Sequence, residues 1–263
     1  MTARPSVITL QDVSRRFRTA RSDIYALSEV SLDIQEGEFV TVVGPSGCGK
    51  STVLNIIVGL LDPTTGTRLF RGVPTTGINL EIGYVTQQDS LFPWRSVLGN
   101  VTFALEMRQI GTPDSRRLLA MGLIERVGLK GFEHHYRHEL SGGMRQRVNI
   151  IRALIYNPKV ILLDEPFGPL DAQTRLQLQD LLLKLWVERA GTTLVFITHD
   201  LAEAIALGDR VVVMSARPGR VREIVNVDLP RPRDIYTIHT DAQFRQIYDR
   251  IWQHLADEMR MAS

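Results

Sequence analysis

The hydrophobic residues of this chain are concentrated in short, β-branched runs separated by turn residues. Such runs predict strands, and they read SVITLQDV, VSLDIQ, EFVTVVG, EIGYVTQ, KVILLDE, TTLVFITHD and DRVVVMS. Several are apolar at every position, which is typical of strands covered on both faces of a sheet. Helical periodicity lies between them at 49–58, 141–156 and 172–187. This alternation predicts an α/β fold with a parallel sheet.

Three stretches depart from the alternation. The first two runs are too close in sequence for a helical crossover, so we expect them to form an antiparallel addition. Residues 90–157 carry helical periodicity and weak strand signals, which predicts a helical subdomain inserted between two strands. An amphipathic pattern over 243–259 predicts a terminal helix. The predicted organisation is an α/β core from 1–89 and 158–240, the helical subdomain at 90–157 and a C-terminal helix at 241–263.

Composition narrows the class of protein. With 263 residues, 44% of them hydrophobic, the chain can bury a substantial core. It has no apolar run long enough to span a bilayer, and its first residues lack the apolar segment of a signal peptide, so we expect neither a membrane span nor export. The single cysteine excludes an intrachain disulfide and favours the cytoplasm. The formal net charge of +2 gives no reason to expect a nucleic-acid partner.

A local basic stretch lies near the C-terminus. Its arginines are Arg217, Arg220, Arg222, Arg231 and Arg233. We interpret the stretch as a solvated loop, with contact to anionic lipid headgroups as the alternative.

A glycine-rich segment follows the strand EFVTVV and leads into the first predicted helix. It comprises Gly44, Pro45, Ser46, Gly47, Cys48, Gly49, Lys50, Ser51 and Thr52. In this context the loop turns backbone N–H groups inward around phosphate oxygens, and the helix N-terminus adds a positive dipole. We expect Lys50 to meet the β and γ phosphates and Ser51 to place its hydroxyl on Mg²⁺. A glycine-rich turn without a ligand is the less favoured alternative.

Polar residues stand at the ends of three further strands. VILLDEP delivers Asp164, which fits a magnesium shell, and Glu165, which can polarise an attacking water as a general base. A solvated pair of acids is the alternative. His199 ends TLVFITHD and can hydrogen-bond a γ-phosphate, although a histidine at a strand end is more often structural. Gln87 can reach Mg²⁺ or water through its carbonyl oxygen.

A second Ser-Gly-Gly turn, in LSGGMRQR, opens the helix predicted at 141–156. Ser141, Gly142 and Gly143 combine a hydroxyl, backbone amides and a helix dipole, which together can bind an anion. No group suited to a nucleotide base or to magnesium lies near this turn in sequence, and the chain has only one phosphate loop. We therefore expect the turn to be half of an interface that serves the nucleotide of another chain.

Taken in order, GPSGCGKST, Gln87, LSGGMRQR, VILLDEP, GPLD and THD resemble the motif set of the ATP-binding cassette (ABC) transporter ATPases over residues 7–219. The resemblance implies a P-loop NTPase core of the ABC type. It implies that two cassettes close head to tail around two Mg-ATP, and that hydrolysis removes the γ-phosphate contacts and opens the dimer. It also implies that Asp171 crosses the dimer seam and that Phe17 stacks on adenine, a role for which Tyr25 competes.

Two shorter segments narrow the resemblance. SLFPW after Gln87 and the tail VDLPRPRD are similar to segments of the ATPase subunits of bacterial nitrate, sulfonate and taurine importers. They imply import of a small anion through separate transmembrane permease subunits, with an extracytoplasmic solute-binding protein as an indirect partner. The chain would then be peripheral at the cytoplasmic face of the bacterial inner membrane and would pair with a second, identical cassette. The apolar residues 91–94 are either core packing or a docking surface for another protein.

Other functions remain open at this point. A soluble ABC-type ATPase of DNA repair or of ribosomes is one, but the chain has neither a long coiled-coil insertion nor a second cassette in tandem. A scaffold that binds nucleotide without turnover is another, and Lys50, Asp164, Glu165 and His199 together oppose it. Pro169, where the family usually has a small residue, and VTQQ in place of VFQ depart from the family pattern, but neither removes a chemical group.

Overall fold

The computed structural model of this chain describes residues 4–18, 23–189 and 191–262. The chain forms two compact units, one of Met1–Leu80 with Arg189–Ser263 and one of Glu81–Glu188. The three-part organisation expected from the sequence stays a prediction. Within the described ranges, no helix combines the length and the apolarity needed to cross a bilayer.

The strands and helices alternate along much of the chain. The strands are β1 (Ser6–Arg18), β2 (Asp23–Gln35), β3 (Phe39–Val43), β4 (Thr65–Phe70), β5 (Val73–Pro74), β6 (Ile82–Val85), β7 (Val160–Asp164), β8 (Thr193–Ile197), β9 (Arg210–Met214) and β10 (Val221–Asn226). The helices are α1 (Lys50–Val58), α2 (Val97–Met107), α3 (Pro113–Arg126), α4 (Gly142–Leu154), α5 (Ala172–Val187), α6 (Leu201–Leu207) and α7 (Ala242–Ala262), with short 3₁₀ turns at Arg137–Glu139 and Ile238–Thr240.

The first unit contains an antiparallel sheet in the order β2-β1-β4-β5. β1 and β2 pair antiparallel, from Ser6 opposite Gln35 to Arg18 opposite Asp23. This confirms the antiparallel addition predicted from their closeness in sequence. The register shifts at several points, one of them between the pairs Arg15–Leu27 and Arg16–Tyr25.

The same unit contains strands in the order β10-β9-β3-β8. β3 is parallel to both β8 and β9, and β10 pairs antiparallel to β9. Every residue of β3 and β8 is buried, as expected for strands covered on both faces. Because neighbouring parallel strands end at the same edge, the glycine-rich loop after β3 and His199 after β8 emerge at one edge of this sheet.

The second unit pairs β6 parallel to β7 and adds four helices, α2 to α5. Each helix starts after a residue whose side chain accepts a backbone N–H: Ser96, Thr112, Ser141 and Asp171. These capping residues define where the helices begin. The paired strands end beside each other, so Gln87 and Asp164 emerge at one edge.

The predicted strands and helices are all present, but the sequence pattern missed several short elements. α1 begins at Lys50, one residue later than predicted, because Gly49 has a left-handed φ of 105° and forms the N-cap. β4, β5, β10 and α6 were not predicted. α6 has only 7 residues, too few for helical periodicity to stand out.

The basic stretch is not a solvated loop throughout, and this interpretation is wrong for Arg233. Its guanidinium is buried and donates hydrogen bonds to the carbonyls of Ile205, Ala206, Gly208, Val227 and Leu229. Burial lowers the pKa of Arg233 to about 10. The side chain therefore holds the tail segment against the end of α6, satisfying carbonyls that a helix terminus leaves without internal partners.

Replacing Arg233 by Met should destabilise the protein by about 3 kcal/mol, because buried carbonyls lose their donor. The matched control is Arg220→Met. Arg220 is exposed and lies 3.7 Å from Glu29, so its loss should cost less than about 1 kcal/mol. Urea unfolding of both variants measures the difference, and equal losses would contradict the role assigned to Arg233.

Candidate active site

The predicted site residues fall into two sets, one in each unit. The first unit holds Phe17, the glycine-rich loop 44–52 and His199. The second holds Gln87, the turn 141–143, Asp164, Glu165 and Asp171.

The loop 44–52 has the geometry of a phosphate-binding loop. α1 starts at the N-cap Gly49, which has no side chain to cap the helix, so no capping side chain covers this helix N-terminus. The loop also approaches β2 closely, since a Cβ on Gly49 would lie 2.6 Å from the Cδ2 atom of Leu27 and 2.9 Å from the carbonyl oxygen of Ala26. Only glycine fits at this position, and the backbone there can face an anion directly.

Lys50 is buried at the base of this loop. Its Nζ donates hydrogen bonds to the carbonyl oxygens of Gly44, at 2.8 Å, and Pro45, at 3.1 Å. Both acceptors are neutral carbonyls, so neither of these two bonds is to a carboxylate. A phosphate in the loop would supply the missing negative charge.

The turn between β9 and β10 supports the loop from behind. A Cβ on Gly219 would lie 2.0 Å from the carbonyl oxygen of Cys48, which requires glycine there. Arg217 donates from Nη2 to the carbonyl of Gly47 at 3.1 Å. The buried carboxylate of Glu258 accepts the N–H of Ala216 at 2.8 Å and so ties this turn to α7. Sequence reasoning missed this support, because no motif contains these residues.

His199 is exposed and stands in a well-defined turn after β8. Thr198 Oγ1 accepts the N–H of Asp200 at 3.0 Å, and the Asp200 carboxylate caps α6 through the N–H groups of Ala202 and Glu203. Hydrogen bonds thus hold the backbone on both sides of His199, which fixes the point from which its side chain extends.

Phe17 and Tyr25 lie on different faces of the β1–β2 pair. Arg15 stacks on Phe17, with its guanidinium carbon 4.8 Å from the ring centre, and Arg15 is opposite Leu27. Tyr25 is opposite Arg16, which stacks on its ring. Cross-strand partners share a face, so Phe17 is on the face of Leu27, the side chain that touches the phosphate-binding loop at Gly49.

The second unit places the acidic pair at the end of β7. Asp164 is buried, and the hydroxyl of Tyr84 donates to its Oδ2 at 3.4 Å. Burial, and then the Asp164 charge, raise the pKa of Tyr84, so that hydroxyl stays protonated as a donor. Tyr84 was not predicted, because its place opposite β7 follows from the strand pairing and not from a sequence motif.

Glu165 has an unusual backbone conformation. Its φ is 43°, a region that non-glycine residues rarely occupy and that often marks functional sites. Gln87 Nε2 donates to Glu165 Oε2 at 3.4 Å. The structure therefore brings Gln87 and Glu165 together, as expected if both serve one reaction.

The Ser-Gly-Gly turn packs against the start of α5. Ser141 Oγ accepts the N–H of Met144 at 3.2 Å, and Asp171 Oδ1 accepts the N–H of Thr174 at 2.9 Å. A Cβ on Gly143 would lie 2.6 Å from the Thr174 methyl group. Thr174 thus lies between the turn and Asp171. The hydrogen bond from Thr174 lowers the pKa of Asp171, so this exposed carboxylate stays ionised.

Cys48 should react slowly with iodoacetamide, because it is 1% exposed and burial raises the pKa of its thiol. The thiolate fraction, and with it the rate, should still be rising at pH values where the rate for free cysteine has already levelled off. Once Cys48 is alkylated, nucleotide binding should be lost, because the adduct does not fit behind the loop. Cys48→Ser is the unreactive control, and full ATPase activity after complete alkylation would contradict the prediction.

Comparison with known proteins places these motifs in a family. A model of the ABC transporter family matches residues 27–168. An uncharacterized ABC transporter ATP-binding protein of Methanocaldococcus jannaschii is 46% identical over 96% of this chain and 92% of that protein. The taurine import ATP-binding protein TauB of Yersinia pestis is 47% identical over 77% of this chain and 79% of that protein.

A solved structure gives the same result. An ATP-binding cassette in a dimeric post-hydrolysis state, bound to ADP and Pi, is 36% identical with a TM-score of 0.75, covering 85% of this chain and all of that one. The expected P-loop NTPase class is therefore confirmed. The family match covers more than half of the chain. The chain belongs to the ABC transporter family, as an ATP-hydrolysing transporter subunit.

Proposed function

We propose that this cassette closes as a dimer around two Mg-ATP and drives import of a small anion, of the nitrate, sulfonate or taurine kind, through separate transmembrane subunits. One observation carries the proposal: the chain has two anion-binding turns of different chemistry. The loop 44–52 has a buried lysine at its base. The turn 141–143 offers a hydroxyl and the start of a helix. A single nucleotide needs only one complete loop, so the second turn serves a second cassette.

Hydrolysis would use the residues gathered at the end of β7. Glu165 accepts a proton from the attacking water, and the Gln87 amide, 3.4 Å away, holds its carboxylate in place. His199, held in the turn after β8, donates to the γ-phosphate, and Lys50 meets the β and γ phosphates. These roles match the reactivity of each group.

Mg²⁺ fits the donor set offered by Ser51, Gln87 and Asp164. The buried Asp164 carboxylate accepts a hydrogen bond from the Tyr84 hydroxyl at 3.4 Å, and a buried negative charge favours a nearby cation. When bound, the ion neutralises phosphate charge.

Adenine would stack on Phe17 rather than Tyr25. Phe17 shares a face with Leu27, and Leu27 lies against Gly49 of the phosphate-binding loop. Tyr25 belongs to the other face, with Arg16. Because the base must lie within reach of its own phosphates, the face of the loop is the better place for it.

Dimer closure would place the partner's γ-phosphate on Ser141, Gly142 and Gly143, with Asp171 at the seam. The exposed Asp171 and the turn 141–143 both contact Thr174. They therefore lie close together, at the starts of α5 and α4. The solved relative with ADP and Pi is described as dimeric, which supports this arrangement. A second copy of this chain is the simplest partner.

Import through a membrane partner is supported by the taurine import relative and by the surface after Gln87. Residues 91–94 include both buried and exposed side chains. Leu91 is buried, whereas Trp94 is 72% exposed and rests on Phe92, which packs on Phe103. We infer that Trp94 docks on a permease subunit, at the cytoplasmic face of the inner membrane, with a solute-binding protein on the other side. Transporter names among the relatives do not favour DNA repair or ribosome work.

Glu165→Gln should bind ATP like the parent but hydrolyse it about 10²- to 10⁴-fold more slowly, because the general base is lost while charge-independent contacts remain. The trapped ATP should convert monomer to dimer. Native mass with and without Mg-ATP, together with phosphate release, measures both effects.

Two controls accompany this variant. Glu125→Gln removes an exposed carboxylate that pairs with Lys130 and should leave turnover unchanged. Lys50→Ala should abolish both ATP binding and dimerisation. A Glu165→Gln protein that keeps turnover and stays monomeric would refute the base assignment and the closure together.

Trp94→Ala should lower ATP-driven uptake by vesicles containing the complete transporter at least about tenfold, because exposed aromatic anchors dominate docking energy. The ATPase rate of the isolated cassette should not change. Trp252→Ala, which removes another half-exposed tryptophan, is the control and should leave uptake intact. Equal uptake for both variants would place the docking surface elsewhere.

A further inference from the structure

Asp89 lies two residues after Gln87 and is surrounded by arginines from the region of the Ser-Gly-Gly turn. Arg137, in the 3₁₀ turn just before it, donates to both carboxylate oxygens, at 2.6 and 3.1 Å. Arg145 of α4 forms an ion pair with Asp89 through Nε, at 3.2 Å. Asp89 itself is mostly buried, with 15% of its side chain exposed.

Arg145 connects this carboxylate to the anion-binding turn. Its Nη1 donates to the carbonyl of Leu140 at 2.6 Å, and Leu140 directly precedes Ser141. Leu140 itself is buried. One guanidinium thus joins Asp89 to the backbone that leads into the turn.

A second arginine of α4, Arg152, also binds the segment that follows Gln87. Arg152, two helical turns after Arg145 on the same face of α4, donates to the carbonyl of Ser90 at 2.6 Å and to the Ser90 hydroxyl. Burial lowers the pKa of Arg152, and the nearby Asp89 charge opposes that shift. Residues 89 and 90 are therefore held on α4 at two points.

An isolated surface ion pair would explain little, because such pairs order few groups. Asp89 differs from them in three ways. It is largely buried, its bond to Arg137 is bidentate, and it balances several cations at once. Without the negative charge of Asp89, the guanidinium groups of Arg137 and Arg145 would repel each other. This repulsion would favour breaking the hydrogen bond from Arg145 to the Leu140 carbonyl.

We propose that Asp89 is a positioning residue for the Ser141–Gly143 turn, holding Arg145 on the Leu140 carbonyl so that the turn is set for the γ-phosphate of the opposite cassette. The proposal rests on the dimer closure proposed above. It predicts that loss of Asp89 affects dimer formation but not ATP binding. The loop 44–52, which binds the chain's own ATP, is in the other unit and does not need Asp89.

The test uses Asp89→Asn in the hydrolysis-deficient Glu165→Gln full-length chain. Asparagine keeps the shape but loses the charge that holds two arginines. Affinity for a fluorescent ATP analogue, measured with dilute monomer, should stay within about twofold of the Glu165→Gln parent. The protein concentration needed to form the Mg-ATP-dependent dimer, measured by sedimentation, should rise at least about tenfold. Small displacements of positioned groups strongly weaken the interactions that they make.

Matched variants separate positioning from general damage. Asp180→Asn removes a partly exposed helix carboxylate of the same unit, 2.7 Å from Lys184, and should dimerise like the parent. Asp89→Glu should recover part of the dimerisation. Arg145→Lys keeps the charge but lacks the fork needed to reach both Asp89 and Leu140, so it should reproduce the defect of Asp89→Asn. If Asp89→Asn does not fold, as judged by circular dichroism, Arg145→Lys decides in its place.

The outcomes distinguish the two proposals. If the Glu165→Gln parent dimerises with ATP and Asp89→Asn dimerises equally well, the role of Asp89 is refuted while the closure model stands. If the parent itself stays monomeric at every ATP concentration, the closure model fails and the Asp89 proposal falls with it. A loss of ATP affinity in Asp89→Asn that matches its dimer defect would also refute the positioning role.

Discussion

The close approach of backbone to backbone around the phosphate-binding loop is the constraint on which the rest of the structure depends. A loop that presents amides to an anion cannot fill its own interior with side chains. Other elements must therefore hold it from outside. β2 does so at Gly49 and the turn after β9 at Gly219, each so near that a Cβ would overlap neighbouring atoms. The strands of the first unit position these two contacts and thereby keep the loop open toward phosphate.

The sequence predicted those parts of the molecule in which one local pattern decides the outcome. The parallel strands β3 and β8 are buried at every residue and apolar except for one threonine each, and the loop after β3 is rich in glycine. The starts of the helices α4 and α5 could also be predicted, since Ser141 and Asp171 each cap a helix in the structure. In each case neighbours in sequence determine the conformation.

The missed features depend on long side chains that act across the fold. Arg233 was placed in a solvated loop, yet it binds carbonyls of α6 that are distant in sequence. Tyr84 reaches Asp164 only because β6 and β7 pair in one register, and the sequence does not state which strands are neighbours. Asp89 reads as a loop residue until Arg137 and Arg145 are brought to it. Composition and periodicity contain no information on which distant residues a long side chain contacts in the folded protein.

The chemistry of the second turn suits a phosphate that arrives already bound to another chain, as the proposed dimer closure requires. Ser141 Oγ accepts a backbone N–H, so only its O–H remains to be donated, and the nearby Arg145 is engaged by Asp89 and the Leu140 carbonyl. Such a turn attracts an anion weakly, without a net cation of its own. Weak attraction suits a switch, because a contact that depends on one γ-phosphate is lost when that phosphate leaves. A strong anion site here would hold inorganic phosphate after hydrolysis and keep the proposed dimer closed.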